Sequence, residues 1–416
     1  MIENKKKINV GIGFVTGRKN FKEIAETYIR SFTQNDHLDT NKYALHLFVA
    51  YDLKYTGTQV SDYRITDGRL LELVDSAYYL GPAAIAAEVD TLVKDNVITA
   101  GEADLVFGEG YARKRNTVLY FAIKNNMDFL IFLDDDEYPM ANIKADHGIV
   151  WRGQEILSAH LEGIQNADMT HGYHCGYISP IPQLQFNRQL TEQEFKLFIE
   201  AISNDIINWD SIKEKMEDGG ITYADTAIMD SKETIWVESV NGMKFISGSN
   251  LAINLENRNK IFPFYNPPGA RGEDTFLSTC IDSCKVRKVG CYTFHDGFSA
   301  YGQILSGVLP ESLKTIKPDT PSAVKRFLKA AVGWIRYKPL LLYITQPNEY
   351  EKTMAEIEEK LSLVLPKICL YFGTGDFQVI LKEFNYYRSH VKQHFEDFEN
   401  TKKAWRKIMS SGKMVL

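Results

Sequence analysis

The sequence predicts an α/β protein: a mainly parallel, doubly wound sheet with flanking helices, followed by a helical C-terminal region. Three observations carry this. Apolar stretches at 8–16 and 43–51 each have strand character, and the first passes through a turn into a helical pattern. A third apolar run, Phe129 to Leu133, is entered directly from another helical pattern at 111–126. Strands that alternate with helices, and that read as unbroken apolar runs rather than alternating ones, belong to parallel sheets covered on both faces.

In chain order, residues 8–16 form the first predicted strand, and Gly17-Arg18-Lys19-Asn20 turns the chain into a helix over 21–34. There Ile24, Tyr28, Ile29 and Phe32 share one face. The second strand, 43–51, ends in Asp52, and helical segments follow at 83–97 and 111–126. Residues 186–232 break the alternation. They are polar and helical in pattern (191–206, then 209–216), which marks an insertion placed to cover a site. Strand patterns resume at 234–238, 244–247 and 286–294, and beyond Pro310 helices are predicted at 321–338, 348–364 and 376–408. No repeat or low-complexity linker separates these parts, so the tail is expected to pack on the body. The organisation is then a domain over 1–309 carrying the insertion, and an extension over 310–416.

Of the 416 residues, 44% are hydrophobic and 25% charged, the proportions of a soluble globular protein. A net charge of −6 argues against nucleic acid as a partner. From residue 309 onward Lys and Arg number 18 against 12 Asp and Glu, so a basic tail follows an acidic body. Five cysteines, sparse and odd in number, suit a reducing compartment, and Cys280, Cys284 and Cys291 lack the paired spacing of a zinc site. No stretch reaches the length of a membrane span, and the first residues lack a signal peptide's apolar core, so a cytoplasmic location is expected.

The acids Asp134, Asp135, Asp136 and Glu137 follow the apolar run at 129–133. Four adjacent carboxylates repel one another, and at a strand end they call for a compensating cation. Oxygen ligands suit a hard divalent ion, Mg²⁺ or Mn²⁺, and ligands bind beyond the carboxyl ends of strands in open α/β sheets. A solvated acidic turn is the competing reading. Three further clusters share the theme. Arg113, Lys114 and Arg115 open the preceding helix, placed to balance acids or hold phosphate oxygens, or simply to face solvent. Ser247, Gly248 and Ser249 interrupt an apolar strand, which marks either a close approach or a β-bulge. A Gly/Pro-rich loop delivers Glu273 and Asp274 to a helix start, where Asp274 is either an N-cap or a general base. The strand at 286–294 ends at His295, a candidate metal ligand.

Together these residues resemble the GT-A glycosyltransferases, most closely the family-2-like nucleotide-sugar enzymes, over roughly 8–300. The resemblance rests on Thr16-Gly-Arg18 after the first strand, Asp52 after the second and Ala112 to Asn116 at a helix start. It continues with Phe132-Leu-Asp-Asp-Asp136, Gly248-Ser-Asn250, Gly272-Glu-Asp274 and His295. It implies a GT-A, Rossmann-like fold and a metal-dependent transferase, a hexosyltransferase by expectation. Such an enzyme moves a sugar from a UDP- or GDP-sugar to a hydroxyl on a glycan or lipid-linked acceptor. By resemblance Asp134 touches the ribose or the Mn²⁺ or Mg²⁺, Asp136 and His295 ligate that ion, and Thr16, Arg18 and Asp52 hold the nucleoside. Arg115, Asp135, Gly248 and Ser249 complete the donor side, and Asp274, with Glu273, activates the acceptor in an inverting transfer or binds substrate in a retaining one. The first loop departs from the family's Pro-x-Tyr-Asn, and Tyr51-Asp-Leu departs from its Asp-Asp-Gly-Ser.

Other classes fit less well. No phosphate-cradling P-loop or dinucleotide fingerprint is present. A sugar-phosphate nucleotidyltransferase also uses carboxylate-bound Mg²⁺, but wants a Gly-rich basic loop near its N-terminus. A non-catalytic sugar-binding relative has no need of Asp134, Asp136 and Asp274 together. The helix at 321–338 combines apolar residues with Lys325, Arg326, Lys329, Arg336 and Lys338. It either packs Phe327, Ala331 and Trp334 on the body or lies on the inner face of an anionic membrane.

Overall fold

The computed structural model of the chain describes residues 7–203 and 209–411. Its first part alternates strand and helix: β1 (Ile8–Thr16), α1 (Phe21–Gln34), β2 (Tyr43–Tyr51), the short α2 (Gly68–Leu71), β3 (Ser76–Leu80), α3 (Pro82–Lys94), α4 (Ala100–Val106), α5 (Tyr111–Lys124) and β4 (Phe129–Leu133). These strands pair in the order β3-β2-β1-β4, all parallel. Central β1 is buried from Val10 to Thr16, as a strand covered on both faces must be. A Cβ on Gly13 would meet Val118 Cγ1 of α5 at 2.7 Å, so this glycine lets α5 lie close on the sheet. That contact fixes the start of α5 beside the end of β4.

The second part contains β5 (Glu137–Tyr138), β6 (Met140–Ala145), β7 (Gly148–Gly153), α6 (Ile156–Gly163), β8 (Met169–Gly176), α7 (Glu192–Ile202), α8 (Trp209–Glu217) and α9 (Thr226–Ser231). It continues through β9 (Ile235–Trp236), β10 (Ser239–Val240), β11 (Met243–Lys244), β12 (Leu251–Asn254), α10 (Glu273–Ser278) and β13 (Val286–His295). Here the sheet departs from a mainly parallel one. β12 runs antiparallel between β4 and β8, β13 lies parallel to β8, and β5 and β9 run antiparallel on β13. A short reversed strand satisfies the backbone of both neighbours without the long crossover a parallel strand needs. The strand predicted at 244–247 is also displaced, since β12 begins only at Leu251. Asn250 stands at φ 50°, and its side chain pairs with His160 and the Tyr173 carbonyl, which breaks the ladder before β12. The strand predicted at 234–238 survives as β9, an edge pairing with β13.

The C-terminal region forms α11 (Pro321–Thr345), α12 (Tyr350–Phe372), α13 (Val379–Ser389) and α14 (Val391–Met409). Helices predicted to stop before Pro339 and Pro366 run through them. Leu340, Leu341 and Leu342 after the first proline, and Ile368 after the second, are buried. Burial worth about 1.5–3 kcal/mol per large side chain outweighs the ~3 kcal/mol cost of an interior proline. The single helix predicted at 376–408 is instead divided at His390. α14 places Ala404, Trp405 and Ile408 in one core with Leu119 and Ile123 of α5. Trp405 Nε1 donates to the Ile261 carbonyl at 3.0 Å.

The insertion does not cover the acidic cluster. Phe195, Phe198 and Trp209 pack with Phe327, Phe377 and Leu365 of the C-terminal helices. None of its described residues lines the acidic cavity. A mixed aromatic and aliphatic face on α7 finds its apolar partner there. The predicted helix 191–206 appears as α7, and its final residues 204–206 lie outside the described residues. No described helix is long and apolar enough to cross a membrane.

Candidate active site

The carboxyl ends of β1 and β4, the starts of α5 and α10, and the end of β13 meet around a cavity of about 320 Å³. β4 delivers Asp134, Asp135 and Asp136 to it on the turn into β5, and β13 delivers His295 beside them. Two arginines compensate the acids. Arg18, on the loop after β1, places Nε 3.1 Å from Asp135 Oδ1 and Nη2 2.6 Å from Asp136 Oδ2. Thr16 Oγ1 donates to Asp135 Oδ2 at 2.6 Å, so the buried hydroxyl holds Asp135 from below. Arg115, only 3% exposed, places Nη2 2.9 Å from Asp134 Oδ1 and Nε 3.4 Å from Glu273 Oε1, and its Nη1 donates to the Gly248 carbonyl. The Phe132 and Phe264 rings lie 5.2 and 5.6 Å from its guanidinium carbon, shielding it from water.

Glu137 leaves the cavity and anchors it. Buried under the turn, it pairs with His174 Nδ1 at 3.0 Å and accepts from Ser249 Oγ and Thr293 Oγ1, each at 2.8 Å. One carboxylate thereby ties the turn after β4 to β8, to β13 and to the segment before β12. Against the cost of burial, His174 holds Glu137 below the usual carboxylate range. Ser249 is accordingly a support beneath the site. Gly248 N donates to Asp274 Oδ2 at 3.2 Å, and a Cβ there would stand 3.3 Å from Asp274 Cβ and 3.4 Å from Arg115 Nη2. The close approach signalled by the Ser-Gly-Ser run is therefore to Asp274 and Arg115.

At the start of α10, Asp274 also accepts from Thr275 N at 2.8 Å. Burial, with Glu273 beside it, pushes its carboxyl up to about 6. Burial raises Asp134 and Asp135 more than Arg115 and Arg18 respectively pull them down. Asp136 behaves oppositely. In spite of burial, His295 and Arg18 hold it far below the usual range. His295 Nε2 lies 3.5 Å from Asp136 Oδ2 while its Nδ1 contacts the Tyr177 carbonyl at 2.8 Å, and against burial the Asp136 charge raises the imidazole to about 9.

Among the described residues, no three His, Cys, Asp or Glu side chains are arranged to hold a metal ion. Asp134 turns toward Arg115 while Asp135 and Asp136 share Arg18, so the cluster is ion-paired rather than chelating. The donor chemistry of Asp134, Asp136 and His295 nevertheless fits Mn²⁺ or Mg²⁺. Two carboxylates offer hard oxygens, and His295 has its Nδ1 fixed by a backbone carbonyl, the usual outer partner of a metal-binding imidazole. Arg18 is the group an ion would displace from Asp136.

Of the residues singled out from sequence, Arg18, Arg115, Asp134, Asp135, Asp136, Glu273 and His295 line the cavity. Thr16, Gly248, Ser249 and Asp274 stand behind its wall. Asp52 lies outside it, paired with Lys114 Nζ at 3.3 Å and lining a separate pocket with Tyr51 and Phe107. Sequence reasoning missed Arg271, Arg326, Lys329 and Trp334. The signal for Arg326, Lys329 and Trp334 is the basic, aromatic pattern at 321–338, which the sequence reads as packing or as membrane contact, whereas Arg271 sits in the Gly/Pro-rich loop before Glu273. Phe327 and Ala331 do pack, fully buried, and the same helix turns Arg326, Lys329 and Trp334 into the cavity. Arg336 pairs with Glu383, and Lys338 donates to the Glu200 and Ser203 carbonyls.

No family model and no curated protein sequence matches the chain. Among solved structures, a likeness is found to the crystal structure of mouse xyloside xylosyltransferase 1 in its apo form, with 12% sequence identity and a TM-score of 0.22. It covers 47% of this chain and 58% of that one, less than two thirds of either. A likeness of that size carries no argument about activity, which rests on the site itself.

Proposed function

We propose that this chain is a metal-dependent glycosyltransferase that moves a sugar from a nucleotide-diphosphate sugar to a hydroxyl acceptor in glycan or glycoconjugate synthesis. One observation carries the proposal. A single cavity at the carboxyl ends of parallel strands joins an Asp134/Asp136/His295 donor set to Glu273 on a different element, with Asp274 next to it in the chain and directly behind the wall. Asp134, Asp136 and His295 would hold a Mn²⁺ or Mg²⁺ ion, which when bound neutralises the charge of a departing diphosphate.

The chain's own groups supply the rest. Arg18 and Thr16 orient Asp135, while Arg115 pairs with both Asp134 and Glu273. Asp274, with its carboxyl raised to about 6, is ionised at neutral pH yet basic enough to take a hydroxyl proton. The acceptor oxygen then bonds to the sugar carbon as the bond from that carbon to the diphosphate breaks, and the proton rests on Asp274. Asp52, with Lys114 beside it, borders a separate pocket, and its role in holding a nucleoside is carried by the resemblance alone. Gly248 N and Thr275 N keep the Asp274 carboxylate from rotating away.

Donor hydrolysis is the test. Given a panel of UDP-, GDP-, CMP- and dTDP-sugars with Mn²⁺, the protein is expected to release one nucleotide slowly. The release should stop with EDTA and in Asp136→Ala. Release that survives both would refute the metal-dependent site.

A further inference from the structure

From the sheet side Arg18 pairs with Asp135 and Asp136, and Arg115 pairs with Asp134 and Glu273. Across the cavity stand three more cations, Arg271 before α10 and Arg326 and Lys329 on α11. Among the described residues none of these three has a carboxylate within ion-pair distance. Arg326 is the most constrained. Its Nε is buried without a hydrogen-bond partner, its guanidinium lies 4.4 Å from the centre of the Phe298 ring, and a Cβ on Gly297 would collide with both its Nη2 and His295 Cε1. Arg271 and Lys329, together with Tyr55 and Tyr111, recur in the wall of an adjoining cavity of about 410 Å³, so they stand at a passage between two spaces.

A buried guanidinium N–H without an acceptor is costly, and Arg326 feels the Asp136 and Asp296 charges only from beyond ion-pair distance while Arg18 and Arg271 repel it. An anion with several oxygens removes both costs, and a guanidinium fork matches phosphate oxygens in pairs. We propose that Arg271, Arg326 and Lys329 form a phosphate-binding subsite, contributed by the C-terminal helix and the loop before α10. The subsite rests on the reading of the cavity as a sugar-transfer site. Its phosphate has two sources, the donor's diphosphate or a phosphate carried by an acceptor entering from the adjoining cavity. On this basis α11 completes the site as well as packing against the body.

Calorimetry with inorganic pyrophosphate in EDTA tests the subsite without any metal. The wild-type chain is expected to bind it, and Arg326→Gln and the double variant Arg271→Gln/Lys329→Gln are expected to lose at least tenfold in affinity. Lys325→Gln, which removes the same charge from the exposed side of the helix, should bind as wild type does. Unfolding midpoints confirm that each variant folds. Competition of UDP plus Mn²⁺ with pyrophosphate would assign the subsite to the donor. Binding of glucose 6-phosphate, but not glucose, to the chain saturated with UDP and Mn²⁺ would assign it to the acceptor. Absence of pyrophosphate binding, or equal binding by all variants, overturns the subsite. If UDP or GDP still binds with Mn²⁺ in that event, the transferase reading stands without it.

Discussion

Arg115 is the group on which the arrangement of the site depends most heavily. Replacing it by methionine keeps much of its volume against Phe132 and Phe264 but removes the charge that meets Asp134 at 2.9 Å and Glu273 at 3.4 Å. The Gly248 carbonyl loses its donor as well. Hydrogen bonds to charged groups contribute about 1.5–3 kcal/mol each, but a buried guanidinium also costs several kcal/mol to desolvate, so the three contacts do not add. What decides the outcome is what remains: two carboxylates without their cation in the cavity wall, Asp134 35% and Glu273 15% exposed. Breaking a fully buried pair costs about 3–5 kcal/mol, and the partial exposure of Asp134 to the cavity reduces this to about 2–3 kcal/mol. Arg115→Met should therefore lower the unfolding free energy in urea by about that much. Combining it with Asp134→Asn and Glu273→Gln, which leaves no unpaired charge, should recover more than half of the loss. A loss below ~1 kcal/mol in the single variant, or a triple variant no more stable than the single, would refute the assignment of Arg115 as the compensating cation.

Three further outcomes follow from the same contacts. Asp36, half-buried and accepting from Ser158 N at 2.7 Å, is pushed up to about 7 by burial, with its Oδ2 unpartnered. The folded state holds its proton longer than the unfolded chain does, so ionisation weakens the fold as pH rises from about 4 through 7, by roughly 1–2 kcal/mol for a half-exposed group. Asp36→Asn should flatten that part of a stability-versus-pH profile, and an unchanged profile would contradict the assignment. Gly272 stands at φ 90° with Tyr337 3.0 Å from where a Cβ would go, so Gly272→Ala should cost about 1–3 kcal/mol and disturb Glu273 and Asp274, measured as lower donor turnover together with a lower unfolding midpoint. Trp405, 1% exposed, joins the core beside α5, and Trp405→Ala should cost about 3–5 kcal/mol in a single cooperative transition. A separate early transition would instead show that the C-terminal helices unfold independently.

The first part of the fold could be read from the sequence because parallel strands buried on both faces must be continuous apolar runs, and β1, β2 and β4 are. β3 and β8 were not seen, since Ser76–Leu80 is half-polar and β8 carries His171 and His174. Their burial is decided by neighbours distant in sequence. β12 is four residues long, and no short-range pattern reveals a strand inserted backwards between β4 and β8. The acid turn, Arg18, Arg115 and the Glu273-Asp274 pair were visible as charged residues at element ends, each with a plain structural reading, and it was their occurrence together that pointed to a site. Arg326 and Lys329 were visible only as an amphipathic basic helix. Which of its faces meets the cavity depends on how α11 packs through Phe327 and Ile335, which periodicity does not supply. The prolines at 339 and 366 misled for the same reason, because local cost was outweighed by tertiary burial.

The most direct measurement is calorimetric titration of UDP and GDP onto the chain, with Mn²⁺ and with EDTA, for wild type and Asp136→Ala. The site described here requires that one of the two nucleotides bind only with Mn²⁺, and that Asp136→Ala weaken it at least tenfold while the protein remains folded. Nucleotide binding that ignores both the metal and the substitution, or no binding of either nucleotide, would contradict a metal-dependent nucleotide-sugar site in this cavity.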